Sequence, residues 1–336
     1  MSNASSRDLR LGGSWSSRQR KKNNLIYHTV MLCVSLLSRL SRPTLWALGR
    51  AVGTAIWAVW PEARRRTARG LSWRGGSAVP TSPRAVLAGL GEVLFDTLAL
   101  TRRSPHQQSG FTVDAASRAV LAAAVAEGRG VVFATAHLGG WERMAACLVE
   151  EGFPIATVAR ESYDPRFHVL YDQLRTQRGI RALYRGKPGF ATSVVRVLRG
   201  GSVLGFPMDV AGRGVRTVRV PFFGGERDLP VGPATLALRT GAALVVGTPS
   251  RPVTCGGGIR VERVLVRGSA EALTSELAAV LAARIDALPT EWPWMLVADD
   301  VSPPLESRSP EEVSCATIST PKSPASTRPA TSESSR

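Results

Sequence analysis

Cysteine is scarce in this chain. Cys33, Cys147, Cys255 and Cys315 are the four in 336 residues, and no two stand close enough for a CxxC pair. That spacing argues against a zinc ribbon and a dithiol redox motif, and it suits a reducing compartment. Negative charge is also in short supply: 26 acidic residues face 43 lysines and arginines, for a net charge of +17. So basic a chain is drawn to anionic surfaces, whether nucleic acid, acidic lipid headgroups or an acidic protein. No zinc finger, aromatic RNA-binding block or helix-turn-helix signature is found, which sets nucleic acid aside as the partner. No internal repeat is found, and no A-x-A cleavage site follows the first apolar run, so a cleavable signal peptide fits poorly.

What is present divides into four parts. Residues 1–24 are polar and basic, with Arg18, Arg20, Lys21 and Lys22 ahead of an apolar stretch. Residues 25–62 hold two apolar runs, 25–40 and 44–60, the first interrupted by His28 and Arg39 and the second by Arg50. Trp46, Trp57 and Trp60 punctuate the second run, and Arg64, Arg65, Arg66 and Arg69 follow it. Tryptophan beside arginine at the end of an apolar run is the pattern of a membrane interface, so these runs are expected to form membrane-associated helices. The alternative is a buried helical hairpin of a soluble domain. Residues 63–301 are expected to be the main domain. Residues 302–336, dominated by serine, proline and threonine, are expected to be disordered.

Within the main domain short apolar runs alternate with helical patterns. Strands are expected over 131–136, 154–159, 180–184, 202–209, 242–248 and 259–266. Helices are expected over 83–100, 115–127, 141–151, 164–178, 188–199, 232–240 and 269–287. Residues 217–229 read as extended. This alternation predicts an α/β fold with a largely parallel central sheet flanked by helices.

The chemistry concentrates where the run 131–136 ends. His137 stands at that strand end, followed by Leu138-Gly139-Gly140-Trp141-Glu142. Ligands gather at the carboxyl ends of strands in open parallel sheets, and Gly139 and Gly140 permit a tight turn with close approach to the backbone. Glu142 falls in the first turns of the next helix, from which its carboxylate is expected to fold back onto the imidazole. A paired imidazole with no adjacent serine or cysteine nucleophile points to general-base activation of an acceptor hydroxyl. The alternative is a capped helix start with a satisfied histidine. A metal site lacks an obvious third ligand, and no cofactor is called for.

The block HLGGWE (137–142) resembles the H-x4-[DE] block of the lipid A biosynthesis acyltransferases, within the wider glycerolipid acyltransferase superfamily. The resemblance runs over roughly residues 25–300: Val158-Ala159-Arg160, Arg178-Gly179, Pro207-Met208-Asp209, Val220-Pro221-Phe222-Phe223-Gly224 and the stretch 233–242 each resemble a block of that family, in order. Two departures are Val210, where the family's Asp-Gln pair would have glutamine, and the lack of arginines after Trp294. The resemblance implies acyl transfer from an acyl carrier protein or coenzyme A thioester to a hydroxyl of a lipid acceptor, with a lipid A precursor first and another phospholipid or glycolipid as the alternative. It implies His137 as base and Glu142 as its partner. Arg160 is then a candidate for holding a phosphate or polarising the thioester, and Arg178 for a phosphate or merely a helix end. Asp209 orients one of these arginines or caps a loop, and Phe222 and Phe223 line an acyl groove or belong to the core. The location expected is the cytoplasmic face of the inner membrane, where the basic surplus meets anionic lipid and an acidic carrier protein.

Overall fold

A computed structural model of the chain describes residues 13–75, 79–101, 109–212 and 214–298. The 302–336 segment and residues 1–12 of the N-terminus therefore lie outside the described residues. Seven strands form the main sheet: β1 (Thr112–Val113), β2 (Val131–Thr135), β3 (Ile155–Ala159), β4 (Arg181–Tyr184), β5 (Val203–Pro207), β8 (Ala243–Arg251) and β9 (Gly258–Val264), in the spatial order β1-β9-β8-β2-β5-β3-β4. Every pairing is parallel except that of β8 with β9. The expected fold class is met in its α/β, largely parallel part. Central strand β2 is buried along its whole length, as a strand covered on both faces must be.

Side-chain alternation splits the core into two layers. Val132, Ala134 and Ala136 face one side of the sheet, against α8 (Phe190–Arg199), α9 (Gly232–Thr240) and α10 (Ala270–Ala287). Val131 and Phe133 face the other, against α5 (Ala115–Ala126) and α6 (Trp141–Glu150). Helix starts follow local chemistry: Asp114 accepts from the Ser117 amide ahead of α5, and Asp164 from the Arg166 amide ahead of α7 (Pro165–Thr176). The stretch expected to be extended is an antiparallel hairpin of β6 (Thr217–Phe222) and β7 (Gly225–Pro230), separate from the main sheet. β1 escaped the sequence reading because two residues carry no periodicity.

The two N-terminal apolar runs are helical, as α1 (Ser17–Leu37) and α2 (Arg42–Val59), followed by α3 (Pro61–Ser72). Among the described residues no helix is long and apolar enough to cross a membrane. Small residues of α2 bring it close to the rest of the domain. A Cβ on Gly49 would come within 2.3 Å of the Gly91 carbonyl, and one on Gly53 within 2.0 Å of the Leu87 carbonyl. These glycines let α2 lie directly on α4 (Pro83–Leu98), where Arg50 donates to Glu92 at 2.6 Å and Trp46 to Asp96 at 2.7 Å. Helix α2 thus packs on α4 along one face, while Leu48, Val52 and Val59 stay exposed on it. Helix α1 rests on α7 through Tyr27 and Phe167, and Arg166 donates to Asn24. Its other side leaves Leu25, Leu32 and Leu36 57–71% exposed.

Candidate active site

Strand β2 delivers His137 to the carboxyl edge of the sheet, and the two glycines after it are needed where they stand. Gly139 has φ +53°, and a Cβ there would lie 2.6 Å from the Glu291 carboxylate. A Cβ on Gly140 would lie 2.9 Å from the Phe111 ring. The Gly139 amide donates to the Glu291 carbonyl at 2.9 Å, and α6 begins at once, with the Met144 amide bonding the Gly140 carbonyl. The histidine is therefore held on a turn with little freedom to move.

Asp209, just past the end of β5, is the carboxylate that meets the imidazole. Its Oδ1 lies 2.8 Å from His137 Nδ1, and its Oδ2 accepts from the His137 backbone amide at 2.9 Å and from Trp292 Nε1 at 2.9 Å. The carboxylate is fully buried. Burial alone would raise it, yet the His137 charge and the hydrogen bonds from His137 and Trp292 outweigh that and hold it below the usual carboxylate value. Burial pulls His137 down, but the Asp209 charge and hydrogen bond, with the Glu142 charge behind them, hold the imidazole above its ordinary value. An ionised acceptor at Nδ1 puts the ring proton there, leaving Nε2 with the lone pair.

Glu142 was expected on the imidazole and instead belongs to Arg175. Its carboxylate takes Arg175 Nη2 at 2.5 Å and Nε at 3.3 Å in a bidentate pair, reaching His137 only through space. A guanidinium supplied by α7 outcompetes the imidazole because it offers two charge-assisted bonds in a matching plane. Asp209 was expected to orient Arg160 or Arg178, and it orients His137. The expectation erred on which carboxylate because the 72 positions separating His137 from Asp209 carry no local spacing signal.

His137 opens onto a cavity of about 500 Å³ that runs from the carboxyl ends of β2, β3 and β5 back beneath α6. Its mouth is polar, with Glu142, Arg160, His168, Arg175, Tyr184 and Arg185; its depth is apolar, with Phe133, Met144, Leu148, Ile155 and Val203. Gly205 lies in the floor, and the three nearest atoms to a Cβ there all belong to the neighbouring strand, at 3.5 to 3.9 Å. A glycine inside a central strand marks space kept for another group. Arg160 and Arg185 stand at the mouth with no carboxylate partner among the described residues, and burial together with the Arg160 charge lowers Arg185. Arg178 is not in the lining; its Nη2 donates to the Leu100 carbonyl at 3.3 Å. Phe222 and Phe223 also lie outside it, packed with Trp292 and Trp294, so they are core rather than groove. Arg175, Arg185, Tyr184 and Trp292 were not picked out from the sequence. Only Arg185, one residue past a predicted strand, had a position that could have flagged it. Among the described residues no group of three histidine, cysteine or acidic side chains could hold a metal ion.

Residues 84–297 match the family described as bacterial lipid A biosynthesis acyltransferase. Among curated proteins, the chain is 32% identical over 198 residues to a phosphatidylinositol mannoside acyltransferase of Mycolicibacterium smegmatis, covering 56% of this chain and 62% of that protein. It is 32% identical over 183 residues to the protein of the same name in Mycobacterium tuberculosis, covering 51% and 55%. The chain thus spans about three-fifths of the length of the curated relatives it matches.

Proposed function

The chain belongs to the bacterial lipid A biosynthesis acyltransferase family, and on that premise we propose that it transfers a fatty acyl group from a thioester to a sugar hydroxyl of an anionic membrane glycolipid. The observation that carries this reading is the His137–Asp209 pair at the head of a cavity whose depth is apolar. A linear acyl chain enters beneath α6, its thioester carbonyl stops beside the imidazole, and the charged remainder of the donor stays at the arginine-bearing mouth.

His137 Nε2 takes the proton of the acceptor hydroxyl as its oxygen attacks the carbonyl carbon. The tetrahedral intermediate collapses, the carbon–sulfur bond breaks, and the departing thiolate recovers the proton from Nε2. Asp209 stabilises the imidazolium that exists between those steps, as an ionised acceptor on Nδ1 does in other paired imidazoles. Glu142, neutralised by Arg175, shapes the field around the ring without receiving its proton.

A glycolipid acceptor is favoured over a lipid A precursor by the names of the relatives, which are phosphatidylinositol mannoside acyltransferases. Arg160 and Arg185 suit a phosphate, either on the acceptor or on the donor, since a guanidinium binds that group through a planar fork. The donor is an acyl carrier protein or coenzyme A thioester. The protein works on the cytoplasmic face of the inner membrane: the exposed Leu25, Leu32 and Leu36 of α1, with Arg18, Arg20, Lys21 and Lys22 near its start, suit an anionic interface. Mass spectrometry of total lipids from cells with and without the gene product tests the reading. Loss of one acyl group from a glycolipid supports it; an unchanged glycolipid profile, or a loss confined to lipid A, refutes the acceptor assignment.

A further inference from the structure

Behind the histidine turn lies an acidic group that the chemistry above does not use. Glu291 sits in a 3-10 turn, Pro289–Glu291, and is 1% exposed. Its carbonyl accepts from the Gly139 amide at 2.9 Å, and its Oε1 accepts from the Val253 amide at 2.9 Å. Oε2 is buried with no hydrogen-bond partner and abuts Gly139, where a Cβ would come within 2.6 Å of it. One residue thus clamps the turn that carries His137 to the turn after β8, through both its backbone and its side chain.

The charge of Arg143 reaches Glu291, but its guanidinium is hydrogen-bonded elsewhere. Arg143 of α6 is committed to Asp96 at 2.7 and 2.8 Å and to the Ser109 carbonyl at 2.7 Å. Helix α4 adds two more carboxylates, Glu92 and Asp96, the first held by Arg50. Asp286 of α10 is taken by Arg74. An ionised Glu291 would leave an uncompensated charge beside two others and an orphaned oxygen against the backbone of Gly139, which is far more costly than a neutral acid in the same place.

We propose that Glu291 is a positioning residue for the His137 turn, that it holds the turn as a neutral carboxylic acid, and that its ionisation displaces the turn and ends activity on the alkaline side. Burial, with the Glu92 and Asp96 charges acting in the same direction, outweighs the Val253 amide bond and the Arg143 charge and pushes its carboxyl up to about 8, close enough to neutrality for that ionisation to be met in solution. The clamp itself does not depend on acyl transfer; only the rate measurement below rests on that reading.

The test compares the full-length protein with Glu291→Gln, which keeps the shape and cannot ionise, and with Glu291→Ala. The His137 ring signal of protein carrying 15N-labelled histidine is followed from pH 5 to 9.5. In the wild type it is expected to show a second inflection near pH 8 beyond its own titration; in Glu291→Gln that inflection is lost. Turnover of the wild type is expected to fall above pH 8, and Glu291→Gln to extend activity to higher pH. Glu291→Ala, which frees the turn, is expected to lower kcat by roughly 10- to 100-fold with KM nearly unchanged. Should Glu291→Ala fail to fold, the Glu291→Gln comparison decides alone. An identical alkaline inflection in wild type and Glu291→Gln overturns the proposal. If no acyl transfer is detected in any variant, the proposed reaction fails while the NMR comparison still judges the clamp.

Discussion

Asp209 meets His137 twice: Oδ1 lies 2.8 Å from the ring Nδ1 and Oδ2 accepts the backbone amide of the same residue at 2.9 Å. One carboxylate therefore fixes both the orientation of the imidazole and the chain that bears it, while Trp292 holds the carboxylate from behind at 2.9 Å. Two carboxylates near one histidine then have separable tasks, and substitutions should separate them. Asp209→Asn should lower kcat by about 10²- to 10⁴-fold, because the amide neither fixes the tautomer nor stabilises the imidazolium. Glu142→Gln should cost less in kcat and more in stability, about 3–5 kcal/mol at the upper end, since it strands the largely buried Arg175. Equal losses of kcat in the two variants would contradict this division, as measured by steady-state kinetics beside thermal denaturation.

The pH dependence has a definite sign. His137 is held above its ordinary value of 6.5, and the base must be neutral to act. The acid limb of kcat/KM should therefore lie above pH 6.5 and move to lower pH in Asp209→Asn, which removes the group that raises it. The same raised value stabilises the folded protein fully below pH 6.5 and loses that contribution as pH rises through the folded-state value. Comparing melting temperatures of wild type and His137→Gln between pH 5.5 and 8.5 should show their difference shrinking as pH rises. A difference that grows would contradict the pairing.

The cavity floor predicts a change in chain-length preference. Gly205 has room for a Cβ, with 3.5 Å to its nearest neighbour, but anything longer projects beneath α6 into the apolar depth. Each methylene excluded from such a channel forfeits about 0.8 kcal/mol, close to fourfold in binding. Gly205→Val should lower kcat/KM for long acyl donors by at least tenfold, on the order of two or three methylenes, while short donors are used nearly as before. Uniform loss across donor lengths would mean that the chain lies elsewhere.

Arg160→Lys keeps the charge at the cavity mouth and removes the planar fork. KM should rise for whichever substrate presents its phosphate there, acceptor or donor, and titrating each with the other saturating identifies which. An unchanged KM in both titrations would remove Arg160 from the site.

Much of this is legible in the sequence. The apolar run 131–136, ending at His137 and two glycines, located the edge of the sheet and the site, because a strand buried on both faces has a distinctive composition. What the sequence hid was partnership across the fold. Glu142 looked like the histidine's partner because H-x4-E is local, whereas Asp209 acquires that role only when β5 is laid beside β2 in register, Thr135 against Pro207. Arg175 was invisible for the same reason: its carboxylate lies 33 residues away on another helix. The packing of α2 on α4 was hidden in the same way, because Gly49 and Gly53 matter only once Gly91 and Leu87 are opposite them.

The most direct test of the account is an assay of purified full-length protein with isotopically labelled palmitoyl thioesters of coenzyme A and acyl carrier protein, presented with phosphatidylinositol mannosides, a lipid A precursor or neither, and read by mass spectrometry. The account predicts one labelled acyl ester on a sugar hydroxyl of the glycolipid, formed by wild type and lost by about 100-fold or more in His137→Ala. Ester formation by His137→Ala at the wild-type rate, or transfer only to the lipid A precursor, would contradict it.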